Sequence, residues 1–150
     1  MRAVLQRVSH AAVSVDNEII GSIGNGILAL ISVEHSDTHA DAGYIADKIV
    51  SMRIFRDHED KMNLSVKDVG GAVLVISQFT LHGDCRRGRR PSFISAAPPE
   101  IAIPLYEEVI NTLRSDTNIH VETGRFGAYM QVSLLNDGPV TILLDSRKQF

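Results

Sequence analysis

The sequence predicts an α+β fold in a single domain, built on an antiparallel-rich sheet with two main helices. Three observations carry that expectation. Strand-sized apolar runs fill residues 2–33 and return between 119 and 145; two intervening segments, 37–52 and 98–114, carry helix signals; and 150 residues with 44% apolar content suffice for one sizeable core but not for two.

The first third reads as strands. Ala12-Val13-Ser14-Val15 alternates, Asp16-Asn17 supplies a turn, and a second turn around Gly24-Asn25-Gly26 precedes the buried-type run Ile27-Leu28-Ala29-Leu30-Ile31. Ser36 or Asp37 can cap a helix running to about Met52, with Tyr44, Ile45, Ile49 and Met52 on one apolar face that would cover the sheet. Ile54-Phe55-Arg56 is a short strand, and Asp57 to Lys61 a charged turn.

Ala72-Val73-Leu74-Val75-Ile76 is apolar at every position, the pattern of a central strand covered on both faces, and it delivers Ser77 to Leu81 to the sheet edge. Residues 82–97 show neither period and read as a loop. A second helix opens at Pro98-Pro99-Glu100, where proline is tolerated, and runs to about Arg114 with a kink at Pro104. The remainder is β: Ile119 to Glu122, Tyr129 to Leu135 and Val140 to Asp145. Asn136-Asp137-Gly138 between the last two runs has hairpin-turn chemistry, because these residues accept positive φ. Pro139 sits awkwardly there, since it enters the next strand without an N–H to donate.

Lone Cys85 excludes an internal disulfide framework, and Arg2, Gln6, Arg7, Ser9 and His10 interrupt any signal-like apolar stretch at the start. No run approaches the roughly 18 apolar residues that span a bilayer, so a cytoplasmic protein without membrane contact is expected. A net charge of -3 does not announce an RNA binder, yet Arg86, Arg87, Arg89 and Arg90 put four cations within five residues. A basic loop on an acidic body suits transient binding of one nucleic-acid terminus.

Ser77, Gln78 and Thr80 are the polar groups at the end of the central strand. In a nucleophile reading Thr80 attacks an ester with help from His82, but neither a Ser-His-Asp order nor a G-x-S-x-G elbow is present. Strand alternation would put Gln78 and Thr80 on one face and leave His82 in the loop. Backbone N–H groups near Phe79 and Thr80 offer an oxyanion site instead. Phe126, beside the small Gly127 and Ala128, suits either base stacking or core packing, and Met130 either a pocket or the core. His35, His39, Asp37 and Asp41 have metal-like spacing but fall at a helix start, where capping residues are ordinary.

Taken with Met1-Arg2-Ala3-Val4-Leu5-Gln6-Arg7-Val8, Gly88-Arg89-Arg90-Pro91-Ser92-Phe93 and Phe126-Gly127-Ala128-Tyr129-Met130, the segments Ser77-Gln78-Phe79-Thr80-Leu81 and Asn136-Asp137-Gly138-Pro139-Val140-Thr141 give the chain a near end-to-end resemblance to D-aminoacyl-tRNA deacylases. The resemblance implies hydrolysis of the ester joining a D-amino acid, and commonly glycine mischarged on tRNA(Ala), to tRNA. It implies a homodimer with a barrel-like sheet, active sites at the subunit interface, and no metal or organic cofactor. Gly138-Pro139 would be cis and reach into the partner subunit's site as a wall that rejects L-residues, with Asn136, Val140, Thr141 and Met130 on the substrate side. Backbone groups of Ser77, Gln78, Phe79 and Thr80, helped by the tRNA 2′-OH, would carry the chemistry, with Gln78 orienting and Ser77 supporting the loop. Phe126 would stack under the terminal adenine, Arg7 would hold the partner's Gly-Pro loop, and Arg86, Arg87, Arg89 and Arg90 would grip acceptor-stem phosphates. His82 stands where relatives often have tyrosine. Two rival readings stay open: a non-catalytic nucleic-acid-binding module built on the arginines, and a small-ester hydrolase with Thr80 as nucleophile.

Overall fold

The computed structural model describes residues 1–116 and 118–149. In chain order the elements are β1 (Arg2–Val15), β2 (Glu18–Ile23), β3 (Gly26–Ser32), α1 (His39–Ser51), β4 (Phe55–Arg56), β5 (Met62–Leu64), β6 (Ala72–Ser77), a 3₁₀ turn (Phe79–His82), α2 (Pro99–Ser115), β7 (His120–Thr123) and β8 (Gln131–Asp145).

The long strand β1 is the spine. One edge pairs antiparallel with β3 through residues 2–8 and with β2 through residues 11–15; the other edge carries β8 along nearly its whole length. The β1–β2 turn is tight because Asp16 and Asn17 both take positive φ, 52° and 66°, the conformation a two-residue hairpin needs. Beyond β3 the sheet continues as β6 and then β7, both parallel to their neighbours. The sheet is therefore mixed, and it curls into a nearly closed barrel. At the closing seam a Cβ on Gly21 of β2 would lie only 3.0 Å from the Thr123 carbonyl oxygen on β7, so glycine is what lets the two ends approach.

β6 shows why an all-apolar strand belongs in the middle. Val73 and Val75 face a cluster with Leu5, Ile27 and Ile31 and with Ile45, Ile49, Leu105 and Val109 of the two helices, while Leu74 and Ile76 face Val8, Val13, Ile23 and Leu28 inside the barrel. Each face buries side chains whose transfer from water contributes roughly 1.5–3 kcal/mol apiece.

Several expectations are corrected. The cap of α1 is Thr38, whose N–H and hydroxyl both donate to the Asp41 carboxylate at 2.8 Å. Asp37 cannot cap, because its oxygens already receive the Met1 ammonium and the Glu34 N–H, each at 2.6 Å. α2 runs unbroken through Pro104, which lies on its exposed side where the carbonyl left unpaired one turn earlier meets solvent. β5, three residues long and mostly exposed, has too little pattern to be read from sequence and forms only as the partner of β4. The hairpin at Asn136-Asp137-Gly138 does not form. β8 is one continuous strand, because β1 is long enough to pair with it on both sides of that segment. His82 is not in an open loop: it closes the 3₁₀ turn and is buried.

Candidate active site

A cavity of about 280 Å³ opens where β3 and β6 end, roofed by α2 and by residues 126–130. Ser77, Gln78 and Phe79 form its polar lip, Ile31 and Ile76 its floor, and Tyr106, Phe126 and Met130 its far wall. The mouth sits at the carboxyl ends of two parallel strands, the place where open α/β sheets commonly bind ligands. The Tyr106 hydroxyl donates to the Val75 carbonyl at 3.0 Å, and burial drives its phenol well above the ordinary range, so it stays protonated. Its ring meets Phe126 at 5.8 Å and 58°, which fixes Phe126 as a tilted plate that faces the cavity with one side and the core with the other.

The strand ends at Ser77, and the chain then turns. Gln78 N–H donates to the Ile31 carbonyl at 2.7 Å, tying the turn to β3. The first 3₁₀ bond runs from Leu81 N to the Gln78 carbonyl at 3.2 Å, so the helix itself supplies no acceptor for the N–H groups of Phe79 and Thr80. Phe79 is at the cavity lip and Thr80 follows it, and two successive free N–H groups of this kind can bind an oxyanion. Thr80 is not among the lining residues; its hydroxyl receives the Gln78 side-chain amide at 2.5 Å, a contact made across the turn and not along a strand face. An amide donor cannot take a proton from the hydroxyl, so this contact does not activate Thr80.

The Gly138-Pro139 peptide bond is cis, and Gly138 has φ of 124°. The segment is a bulge: β8 advances from Asn136 to Thr141 while β1 advances only from Val8 to Gln6. Arg7, opposite the bulge and 3% exposed, anchors it. Its Nε donates to the Asp137 carbonyl at 3.2 Å and its NH1 to the Ile54 carbonyl at 2.5 Å, and a Cβ on Gly138 would lie 2.9 Å from NH2. Within one chain, the Arg7 fork is thus engaged by Asp137 and Ile54 of the same chain. The Asn136 amide, turned to donate to the Arg7 carbonyl at 2.8 Å and the Val140 carbonyl at 3.2 Å, braces the other side. Thr141 bonds to Gln6. Gly138 lines a different depression, with Arg7, Phe55 and Asp137; none of Asn136, Gly138, Pro139, Val140 and Thr141 lines the cavity of Ser77 and Phe126.

The D-Tyr-tRNA(Tyr) deacylase family matches residues 4–145. A D-aminoacyl-tRNA deacylase of Geobacillus sp. (strain WCH70) is 56% identical over 149 residues, covering 99% of this chain and 97% of that protein. The chain belongs to the D-Tyr-tRNA(Tyr) deacylase family. Among solved structures, one described as c-Myc DNA Unwinding Element Binding Protein superimposes with a TM-score of 0.90 at 40% identity, covering 97% of this chain and 98% of that one. A probable eukaryotic D-amino acid tRNA deacylase shares the fold, with a TM-score of 0.81 at 17% identity over 95% of this chain and 97% of that one.

In this deacylase-family chain the four arginines of the loop are not equivalent. Arg86 is spent on Asp84, with Nε to Oδ1 at 2.9 Å and NH2 to Oδ2 at 2.7 Å, and that fork holds the Asp84 carboxyl far below the usual carboxylate range. Arg87, Arg89 and Arg90 are exposed and have no acidic partner among the described residues. His35 meets the Ile94 carbonyl at 3.0 Å, and His39 pairs with Glu108 on α2, so both histidines have local partners. Sequence reading missed Tyr106 and the walls from Ser32, Val33, Ala97 and Ala102. Only Tyr106 carried a signal, as a hydroxyl-bearing ring on the apolar stripe of α2. No described helix is long and apolar enough to cross a membrane.

Proposed function

We propose that this chain is a D-aminoacyl-tRNA deacylase, a cytoplasmic hydrolase in which residues 1–150 act as one domain and which works as a homodimer. The observation that carries the reading is the cavity itself: at its lip lies Phe79, whose backbone N–H, like that of the next residue Thr80, has no acceptor among the described residues, and Phe126 lines the same apolar pocket as an aromatic plate, in a chain of this family. The ester carbonyl oxygen sits against the two N–H groups, which bind it more strongly as it becomes an oxyanion; one such donor contributes about 2.7–4 kcal/mol in other enzymes. Adenine of the tRNA 3′ end stacks on Phe126, and Met130 packs beside it. The adjacent 2′-OH of the substrate assists water attack, so no side-chain nucleophile is required.

Chirality is read by the Gly138-Pro139 segment of a second copy. Support comes from what one chain lacks: the segment is held rigidly by Arg7, does not line its own chain's cavity, and is flanked on β8 by exposed Leu135 and Leu143, 57% and 58% accessible. An apolar strand face of that kind favours burial against another subunit. Its carbonyls accept from the substrate ammonium, and the backbone stands where an L side chain would go. Glycine has no side chain to exclude, so glycyl-tRNA(Ala) is also a substrate.

A second reading, nucleic-acid binding without catalysis, is favoured by the exposed Arg87, Arg89 and Arg90, which have no acidic partner among the described residues, and by the name of the 40% identical structure. Deacylation of D- and L-tyrosyl-tRNA, beside hydrolysis of a small D-tyrosine ester, separates the readings. Rapid release of D-tyrosine from tRNA with the L-form spared supports the deacylase; binding without release supports the module; equal hydrolysis of the small ester supports a Thr80 esterase.

A further inference from the structure

Helix α2 contributes Ala102 and Tyr106, one turn apart, to the wall of the cavity. Tyr106 stands on the apolar stripe of the helix, among buried Leu105, Val109, Ile110 and Leu113. A phenylalanine would fill the same volume there without burying a hydroxyl, which must find a partner once it leaves water. The partner it takes is the Val75 carbonyl at 3.0 Å, an oxygen that also receives the Gly124 N–H at 3.0 Å. That carbonyl is a junction. Val75 lies two residues before Ser77 and Gly124 two residues before Phe126, so each arm reaches a different wall of the cavity within roughly 6.6 Å of extended chain. The Tyr106 ring makes a separate contact with Phe126 itself.

We infer that Tyr106 is a positioning residue with two separable tasks: its hydroxyl sets the end of β6, which leads into the Phe79 and Thr80 N–H groups, and its ring sets the Phe126 plate. The inference rests on the deacylase reading above. The geometry separates the tasks. The hydroxyl closes on main chain, so its loss releases a carbonyl of β6, while the ring contact survives that loss. On the β3 side the lip is already held, by the Gln78 N–H on the Ile31 carbonyl at 2.7 Å; Tyr106 supplies a restraint from the other side of β6. The junction is packed without slack, since a Cβ on Gly124 would lie 2.6 Å from Met130 Sδ and 2.9 Å from Ile76 Cδ1, and a close-packed interior passes displacement on. The two tasks act on different steps. Backbone donors that meet a developing oxyanion count most in the transition state, so shifting them lowers kcat. A plate that stacks on adenine binds substrate and transition state alike, so losing it raises KM.

The test measures kcat and KM for D-tyrosyl-tRNA in the unaltered protein, in Tyr106→Phe, Tyr106→Leu and Phe126→Leu, and in the variant carrying both leucines. Tyr106→Phe is expected to lower kcat about tenfold with KM held within about twofold, the scale of one hydrogen bond felt in the transition state. Tyr106→Leu should add to that kcat loss a KM about tenfold higher, as Phe126→Leu does alone, and the double variant should raise KM no further because both substitutions disable one plate. A tyrosine that merely packs would lower the melting temperature in Tyr106→Phe and leave both constants unchanged; that result overturns the inference. A KM rise in Tyr106→Phe, or KM effects that multiply in the double variant, overturns it as well. Should Tyr106→Leu fail to fold, Tyr106→Phe decides. All of these outcomes leave the deacylase reading standing, whereas an unaltered protein that does not hydrolyse D-tyrosyl-tRNA overturns that reading and this inference with it.

Discussion

Arg7 Nε lies 3.2 Å from both the backbone oxygen and a carboxylate oxygen of Asp137, so one buried guanidinium grips main chain and side chain of the residue next to Gly138. The same guanidinium reaches Ile54 at 2.5 Å, which ties the bulge to the segment after α1. A planar fork can make these bonds together; a point-charge ammonium cannot.

Arg7→Ala and Arg7→Lys should therefore both fail at the same function. Each is expected to lower kcat/KM on D-tyrosyl-tRNA by about 10²-fold, the scale of a misplaced wall in an otherwise intact site. Circular dichroism should show the fold retained. Near-normal activity in Arg7→Lys would mean that the fork does not position the segment.

Thr80 has the Gln78 amide as its side-chain partner and no described base within hydrogen-bonding reach. Thr80→Ala should keep deacylation within about tenfold, because the backbone N–H remains. A loss of about 10⁴-fold with the fold intact, or a trapped acyl-Thr80 species, would establish covalent catalysis instead.

Arg87, Arg89 and Arg90, unlike Arg86, are exposed without an acidic partner among the described residues. Replacing these three by alanine should weaken tRNA binding and reduce the slope of log K against log salt by about 2 to 3, while the preference for D- over L-substrate is unchanged. Arg86→Ala should change that slope less, since its charge is already matched by Asp84. Equal slopes in the triple variant and the unaltered protein would remove the loop from the binding surface.

His82 is buried, and desolvation together with Arg2 lowers its pKa against the opposing pull of Glu34 and Asp37. The amino terminus acts in the same direction as Arg2. Below about 6.5, the ordinary histidine value, the unfolded chain therefore binds a proton that the folded chain resists. Stability from this group is complete above that pH and declines as pH falls through it. Urea unfolding between pH 7.5 and 5 should show this decline, and His82→Phe should remove that component. An identical pH profile in the variant would assign the acid sensitivity elsewhere.

Much of the architecture was legible because local pattern and burial agree. An all-apolar Val73-Leu74-Val75-Ile76 can only be satisfied with cover on both faces, and α1 and the barrel interior provide it. The turn at Asp16-Asn17 was legible for the same reason, since its φ requirement is local. The candidate residues Ser77, Gln78, Phe79, Phe126 and Met130 could be singled out by residue type, and they do converge on one cavity.

What the sequence by itself determined, then, were strands, helices and the chemistry available at their ends. Only the tertiary structure decided whether Asn136-Asp137-Gly138 would be a hairpin or a bulge, because the same positive-φ chemistry serves both and the choice depends on a partner strand more than 120 positions away. The same holds for Arg7 and His82. A guanidinium finds Asp137 only when β8 pairs with β1 and finds Ile54 only when the segment after α1 packs beside it, and an imidazole is buried only when the 3₁₀ turn after β6 folds against the sheet. Hydrogen bonding and desolvation act over a few ångströms of space, and no periodicity along the chain encodes which distant residues will share them.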